Sequence, residues 1–173
     1  MRIGRGVTMD GLLRGRVAGN DEVLGRLRIP RAHFEEFAEA ERYLARDPEA
    51  VAILYTLEHG RRALRLSIIR DGNDRFDGAD TIAWDPHSAL RTTQGGRQTP
   101  ALGLLHEEDH AFERLTAPRL QKRLLASPDP AYDDLEEKRV IAGVETRAAK
   151  ILGEGVRTDH RGTLFTVSKP TSL

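Results

Sequence analysis

The sequence contains no cysteine, which removes disulfides, thiol nucleophiles and thiolate metal ligands together. Any metal bound by this chain must be held by histidine and carboxylate side chains. It has no surplus charge of either sign: 27 Lys and Arg balance 27 Asp and Glu, so no net field draws it to nucleic acid or to an anionic membrane. No run approaches the roughly 18 apolar residues of a membrane-spanning helix, and the N-terminus lacks the apolar stretch of a cleavable secretory signal. Arginines gather in the first forty residues (Arg2, Arg5, Arg14, Arg16, Arg26, Arg28 and Arg31). They read as solvated surface rather than as a basic arm, because compensating acids begin at Asp21.

The 173 residues are 39% hydrophobic, enough for the core of one domain. Glycines at 4, 6, 11, 15, 19 and 25 suggest a partly ordered lead-in over residues 1–30, with the domain proper at 31–173. Residues 31–46 place Phe34, Phe37, Ala38, Tyr43 and Leu44 at helical spacing among glutamates, and Asp47-Pro48 ends that helix. Residues 51–57 and 63–69 are rich in β-formers and read as a hairpin across Glu58 to Arg62; residues 81–84 add a third strand. Thr99-Pro100 offers a cap and a first-turn proline for a helix over 101–115. A second long helix over 134–152 carries Val140, Ile141, Val144, Ala148, Ile151 and Leu152 on one face, with Gly153 as its C-terminal cap. Residues 164–167 form a last short strand. The expected class is α+β, with a small, mostly antiparallel sheet packed on the two later helices.

The chemistry is concentrated in His106-Glu107-Glu108-Asp109-His110. Histidines four apart on a helix leave the same face one turn apart and converge on one tetrahedral ion. Glu107 lies about 100° round the helix from His106, beside a metal rather than on it, where it can take a proton from water. This H-E-x-x-H pattern predicts a zinc site whose third ligand is a carboxylate or histidine downstream. Glu113 is too far along the same helix. Glu137 shares a face with Val140, Ile141 and Val144 and points inward, so it is the expected ligand; Glu145 returns to that face two turns later as a supporting or alternative ligand.

Glu136-Glu137-Lys138-Arg139, some 26 residues beyond His110, together with the H-E-x-x-H motif resembles the glutamate-ligand zinc proteases of the clostridial neurotoxin type. It resembles still more the small NleD-type effector metallopeptidases that bacterial pathogens inject into host cells. The resemblance covers roughly residues 80–165. It implies a zincin-like fold, Glu137 as third zinc ligand and Glu136 as its support. An Arg-x-x-Tyr pair stabilises the oxyanion in those families; Arg157 matches its arginine, whereas His160 stands where the tyrosine would be. The implied protein is a monomeric zinc endopeptidase cutting a protein substrate in a host or competitor cell. It would be cytoplasmic in the producer and then translocated by a bacterial secretion system without a cleavable signal peptide. A toxin module of an interbacterial weapon shares the same chemistry; a non-catalytic protein-binding domain with a structural zinc is the alternative from a different class.

Other features carry less. Asp71-Gly72-Asn73-Asp74 lacks the spacing of a calcium loop and reads as a turn, and His33, His59 and His87 read as surface or capping residues. Trp84-Asp85-Pro86 ends a strand that is either an edge for substrate addition or a core element.

Overall fold

The computed structural model describes residues 8–173. Its elements in chain order are α1 (Met9–Leu12), β1 (Arg16–Ala18), β2 (Asp21–Leu24), β3 (Leu27–Pro30), α2 (Phe34–Leu44), α3 (Pro48–His59), β4 (Leu64–Ile68), β5 (Arg75–Phe76) and β6 (Thr81–Trp84). They continue with β7 (Ser88–Thr92), β8 (Arg97–Gln98), α4 (Pro100–Thr116), α5 (Pro118–Leu125), β9 (Pro128–Asp129), β10 (Asp133–Asp134), α6 (Leu135–Val140), α7 (Thr146–Leu152) and β11 (Gly162–Thr166). A π-helical turn, Ile141–Glu145, joins α6 to α7. The class is mixed α+β, as expected, and no helix among the described residues is long and apolar enough to cross a membrane.

Two expectations fail for local reasons. Residues 51–57 lie in α3, not in a strand: Asp47 accepts a hydrogen bond from Glu49 N, and Pro48 occupies the first turn, so Asp-Pro starts a helix instead of stopping one. Ala50, Ile53, Leu54 and Leu57 then form a helical stripe that is fully buried. The lead-in is also more regular than its glycines suggest, because β1, β2 and β3 form an antiparallel meander and β3 continues it by parallel pairing to β4. Arg14, Arg16, Arg26, Arg28 and Arg31 are exposed on this part, in keeping with solvated surface, while Arg2 and Arg5 lie outside the described residues.

The main sheet runs β1-β2-β3-β4-β6-β5, and its inner pairings β3–β4 and β4–β6 are parallel, so the sheet is mixed rather than mostly antiparallel. A separate antiparallel sheet has the order β11-β7-β8. Trp84 is fully buried and its indole donates to Pro100 O at 2.9 Å, tying the end of β6 to the start of α4. Strand β6 lies between β4 and β5, so Trp84 is a core residue and the sheet edge nearest α4 is β5.

Helix α4 is the axis of the molecule, packed against α2, α3, α5, α6, the π turn and strands β5, β6 and β7. Its start is fixed twice, by the Thr99 side chain accepting from Leu102 N and by Glu154 accepting from Thr99 N (2.7 Å) and Oγ1 (2.9 Å). Glu154 also accepts from Tyr43 of α2 at 2.7 Å, which locks α2, α4 and the end of α7 together. Gly153, in the left-handed conformation, ends α7 as its sequence position implies.

On the core side of α4, three acids from α2, α3 and α4 lie without a lysine or arginine partner among the described residues. Glu41, Glu58 and Glu108 are buried, and neither oxygen of Glu41 or Glu108 has an ordinary donor. Burial pushes the Glu41 carboxyl well above its usual range, and the facing Glu108 adds to this; burial and the Glu41 charge raise Glu58 to about 8. Burial therefore favours the protonated form of Glu41, since two ionised carboxylates cannot be held together in a dry core. Glu58, raised in this way, stabilises the fold fully below its ordinary pKa of 4.5, and that contribution is lost as pH rises through about 8. Glu41→Gln is expected to gain stability over the wild type as pH increases above the ordinary carboxyl range, because burial raises Glu41 well above it. Urea midpoints of the two metal-free proteins at several pH values check this; a difference independent of pH would refute it.

Candidate metal centre

His106 and His110 leave the same face of α4, and their Nε2 atoms lie 3.1 Å apart. Each imidazole is oriented from behind. His106 Nδ1 lies 2.8 Å from Glu145 Oε2, and Arg157 clamps that carboxylate with Nε and Nη2 at 2.7 Å each. His110 Nδ1 lies 3.2 Å from Glu136 Oε1, and Arg139 clamps that carboxylate at 2.9 and 2.7 Å while also binding Asp109 at 2.7 Å. A carboxylate on Nδ1 keeps the proton there and leaves the Nε2 lone pair free. Both Nε2 atoms then face Glu137, whose Oε2 is 3.0 Å from His106 and whose Oε1 is 3.1 Å from His110.

The π turn makes this possible. Residues 137 and 145 on a plain α-helix would be about 80° out of phase; the wide turn takes back most of that rotation. Glu137 and Glu145 thereby reach opposite nitrogens of one ring. The segment bearing Arg157 is set against β8 by a backbone approach in which Gly155 N donates to Arg97 O at 2.8 Å. A Cβ on Gly155 would overlap Gly96 and Arg97.

His160 arrives from the loop after α7, its Nε2 3.4 Å from Glu137 Oε2 and its Nδ1 2.5 Å from Asp133 Oδ2. Asp133 holds a left-handed backbone at φ 71°, a conformation that costs about 1 kcal/mol or more for a residue with a side chain. One ligand atom each from His106, Glu137 and His160 lies within 4.8 Å of the others, a group able to hold a metal ion. With His110 Nε2 beside them, the donors stand close to the ~3.3 Å edge that Zn–N bonds of about 2.0–2.1 Å give a tetrahedron.

The electrostatics favour a cation at this point. Burial would lower the pKa of His106, but its bonds to Glu137 and Glu145 raise it to about 10; His110 is raised likewise by Glu136 and Glu137 after the opposing effect of burial. Burial opposes ionisation of Glu136, Glu137 and Glu145, yet their histidine and arginine partners hold all three well below the usual carboxylate range. Converging lone pairs and carboxylates thus take up protons when nothing else neutralises them, and a divalent ion would do so instead.

Glu107 points to the same place. Its Oε2 accepts from Phe76 N of β5 at 2.6 Å, and its Oε1 lies 4.0 Å from His106 Nε2. A cleft of about 270 Å³ opens beside it, reaching from Asn73 and Asp74 across Leu102 and His106 to Leu164. The structure thus gathers His106, Glu107, His110, Glu136, Glu137, Glu145, Arg157 and His160 at one spot. The Arg157 guanidinium is engaged by Glu145 and lies 3.1 Å from His106 Nδ1, behind the imidazole. Asp133, Gln98, which donates to Glu145 at 2.8 Å, and Gln121, which donates to His110 O at 2.7 Å, have no sequence pattern that singles them out. His33 and His87 both bind Glu36, away from this centre. The Asp71–Asp74 segment is a turn pinned by Asp85, as read.

The chain matches no known family profile, no curated protein and no solved structure.

Two outcomes follow from the geometry. Arg157→Ala is expected to weaken zinc binding about 10- to 100-fold, measured by competition with a chromogenic chelator. Because the carboxylates of Glu137 and Glu145 favour the protonated form of His106 and the ring must be neutral to bind, zinc uptake at pH 7 is expected to release at least one proton. Calorimetry in buffers of different ionisation enthalpy reads that release directly, and a buffer-independent heat would contradict it.

Proposed function

We propose that this chain is a zinc-dependent endopeptidase of zincin type. The observation that carries the reading is Glu107: one of its oxygens is fixed by the Phe76 amide, and the other is left facing the His106, His110 and Glu137 donors at the floor of an open cleft. Zinc held by His106, His110 and Glu137 would supply the Lewis acid of such a site and bring the pKa of water to about 7. Glu107 Oε1 then takes the proton of the attacking water and delivers it to the leaving amine nitrogen. His160 Nε2, oriented by Asp133, donates to the oxygen that becomes negative, the role given to tyrosine in the families this sequence resembles. Arg157 and Arg139 act at a distance from substrate by fixing Glu145 and Glu136 behind the two histidines.

The likeness of the H-E-x-x-H and Glu-Glu-x-Arg segments to NleD-type effectors supports a bacterial effector or toxin that acts on a protein of a target cell. A structural zinc in a protein-binding domain is the second reading. It is favoured by one observation, that His160 lies close enough to join His106 and Glu137 around an ion and so close the open position.

Glu107→Gln separates the two. It is expected to keep zinc while losing proteolysis of a mixed peptide substrate at least about 100-fold. His160→Ala is expected to retain zinc within a few fold and lose most activity. Zinc lost with His160→Ala, and no peptide bond cut by the wild type, would establish the structural role instead.

A further inference from the structure

Asp74 is a half-buried carboxylate in the cleft with no cation of its own among the described residues. Its position is rigidly set. Oδ1 accepts from Asp85 N at 2.7 Å, and the turn that carries it is held from both ends, by Gly72 N donating to Asp85 Oδ2 at 3.1 Å and by Asn73 N donating to Asp71 Oδ1 at 3.0 Å. The other oxygen, Oδ2, is directed over Gly103 of α4, where a Cβ would come within 3.0 Å of it. Gly103 lies one helical turn before His106 and Glu107, so the missing side chain leaves room for a substrate group to reach Asp74 beside the reacting centre. The neighbouring Arg75 does not neutralise it, because its guanidinium donates to Asn73 O at 2.8 Å.

Leu90 and Leu164 give the cleft an apolar wall on one side, beside polar lining that includes Ser88, Gln98, Thr99 and Arg157. An apolar wall leading to an unpaired acid suits a side chain with an alkyl stem and a positive head. Burial, with the nearby charges of Glu107 and Asp85, raises Asp74 to about 8 even though the Asp85 amide favours its ionised form. An arriving cation relieves that unfavourable ionisation, whereas a second anion would add to it.

We propose that Asp74 sets the specificity of this cleft by receiving the guanidinium or ammonium group of a substrate arginine or lysine, whose alkyl stem lies along Leu90 and Leu164. The inference rests on the peptidase reading for the ligand being a peptide side chain. It places the basic residue at a fixed position next to the scissile bond, since Gly103 and Glu107 share one face of α4.

Two measurements test this, and one of them needs no turnover. In the first, the zinc-loaded wild type digests a randomised peptide library and the cut sites are read by mass spectrometry. Arginine and lysine are expected to be enriched at one position. Asp74→Asn, which keeps the acceptor for the Asp85 amide, is expected to lower kcat/KM for an arginine peptide about 10- to 100-fold and to change little for its norleucine counterpart. Asp74→Lys should move the preference to glutamate or aspartate. In the second, zinc-loaded Glu107→Gln is titrated with the same two peptides, fluorescently labelled. The arginine peptide is expected to bind about tenfold more tightly, with the advantage lost when Asp74→Asn is added. Equal binding of the two peptides, or cleavage without basic preference, overturns the assignment. Selective binding without any cleavage leaves Asp74 as the basic-residue subsite and removes the peptidase reading instead.

Discussion

The candidate centre depends on one ring, the imidazole of His106, being held at both nitrogens by carboxylates from a single helical stretch. Glu137 meets Nε2 and Glu145 meets Nδ1. For one stretch of backbone to present both, its helix must be wound unevenly, and the π turn between α6 and α7 supplies the difference. That requirement in turn fixes where α6 and α7 lie against α4. Val140, Ile141, Val144 and Ala148 fill the contact, so the packing that buries these residues also sets the metal-facing geometry.

Buried acids flank helix α4 on both sides, handled in opposite ways. Toward the cleft, Glu136 and Glu145 are each gripped by an arginine and each presents its charge to a histidine, so ionisation is favoured. Toward the core, Glu41, Glu58 and Glu108 have no arginine partner among the described residues, and burial raises all three above the usual carboxylate range. The contrast shows that burial alone does not decide the state of a carboxyl group; the bonded cation does. It also accounts for a neutral chain containing a site dense in carboxylates, because Arg139 and Arg157 are committed to that site and are not surface charge.

Much of the centre was legible because its residues obey spacings that local geometry enforces. His106, Glu107 and His110 follow from three positions on one helix, and the inward face of Glu137 follows from the apolar residues around it. The part that was not legible depends on contacts between distant segments. Asp133 orients His160 only because its own backbone is left-handed, and Asp74 borders the cleft only because Asp85 pins its turn. Arg157 was found by resemblance, but its task follows from Glu145 being within reach. Errors in the fold came from ambiguous punctuation: Asp47-Pro48 fits a helix end and a helix start equally well, and the residues after it suit strands by composition while obeying a helical period. Pro118 likewise stands at the start of a helix, α5.

The extra residue in the π turn separates folding from chemistry in an unusual way. If Ile141–Glu145 were wound as ordinary α-helix with its length unchanged, either half could still dock its apolar face on α4. The two halves would then be rotated against each other by about 80°, so that Glu137 and Glu145 could no longer address the same ring. Substitutions that favour regular winding here would keep the fold and lose the centre, whereas losing the extra residue together with the wide turn would leave the two carboxylates nearly in phase.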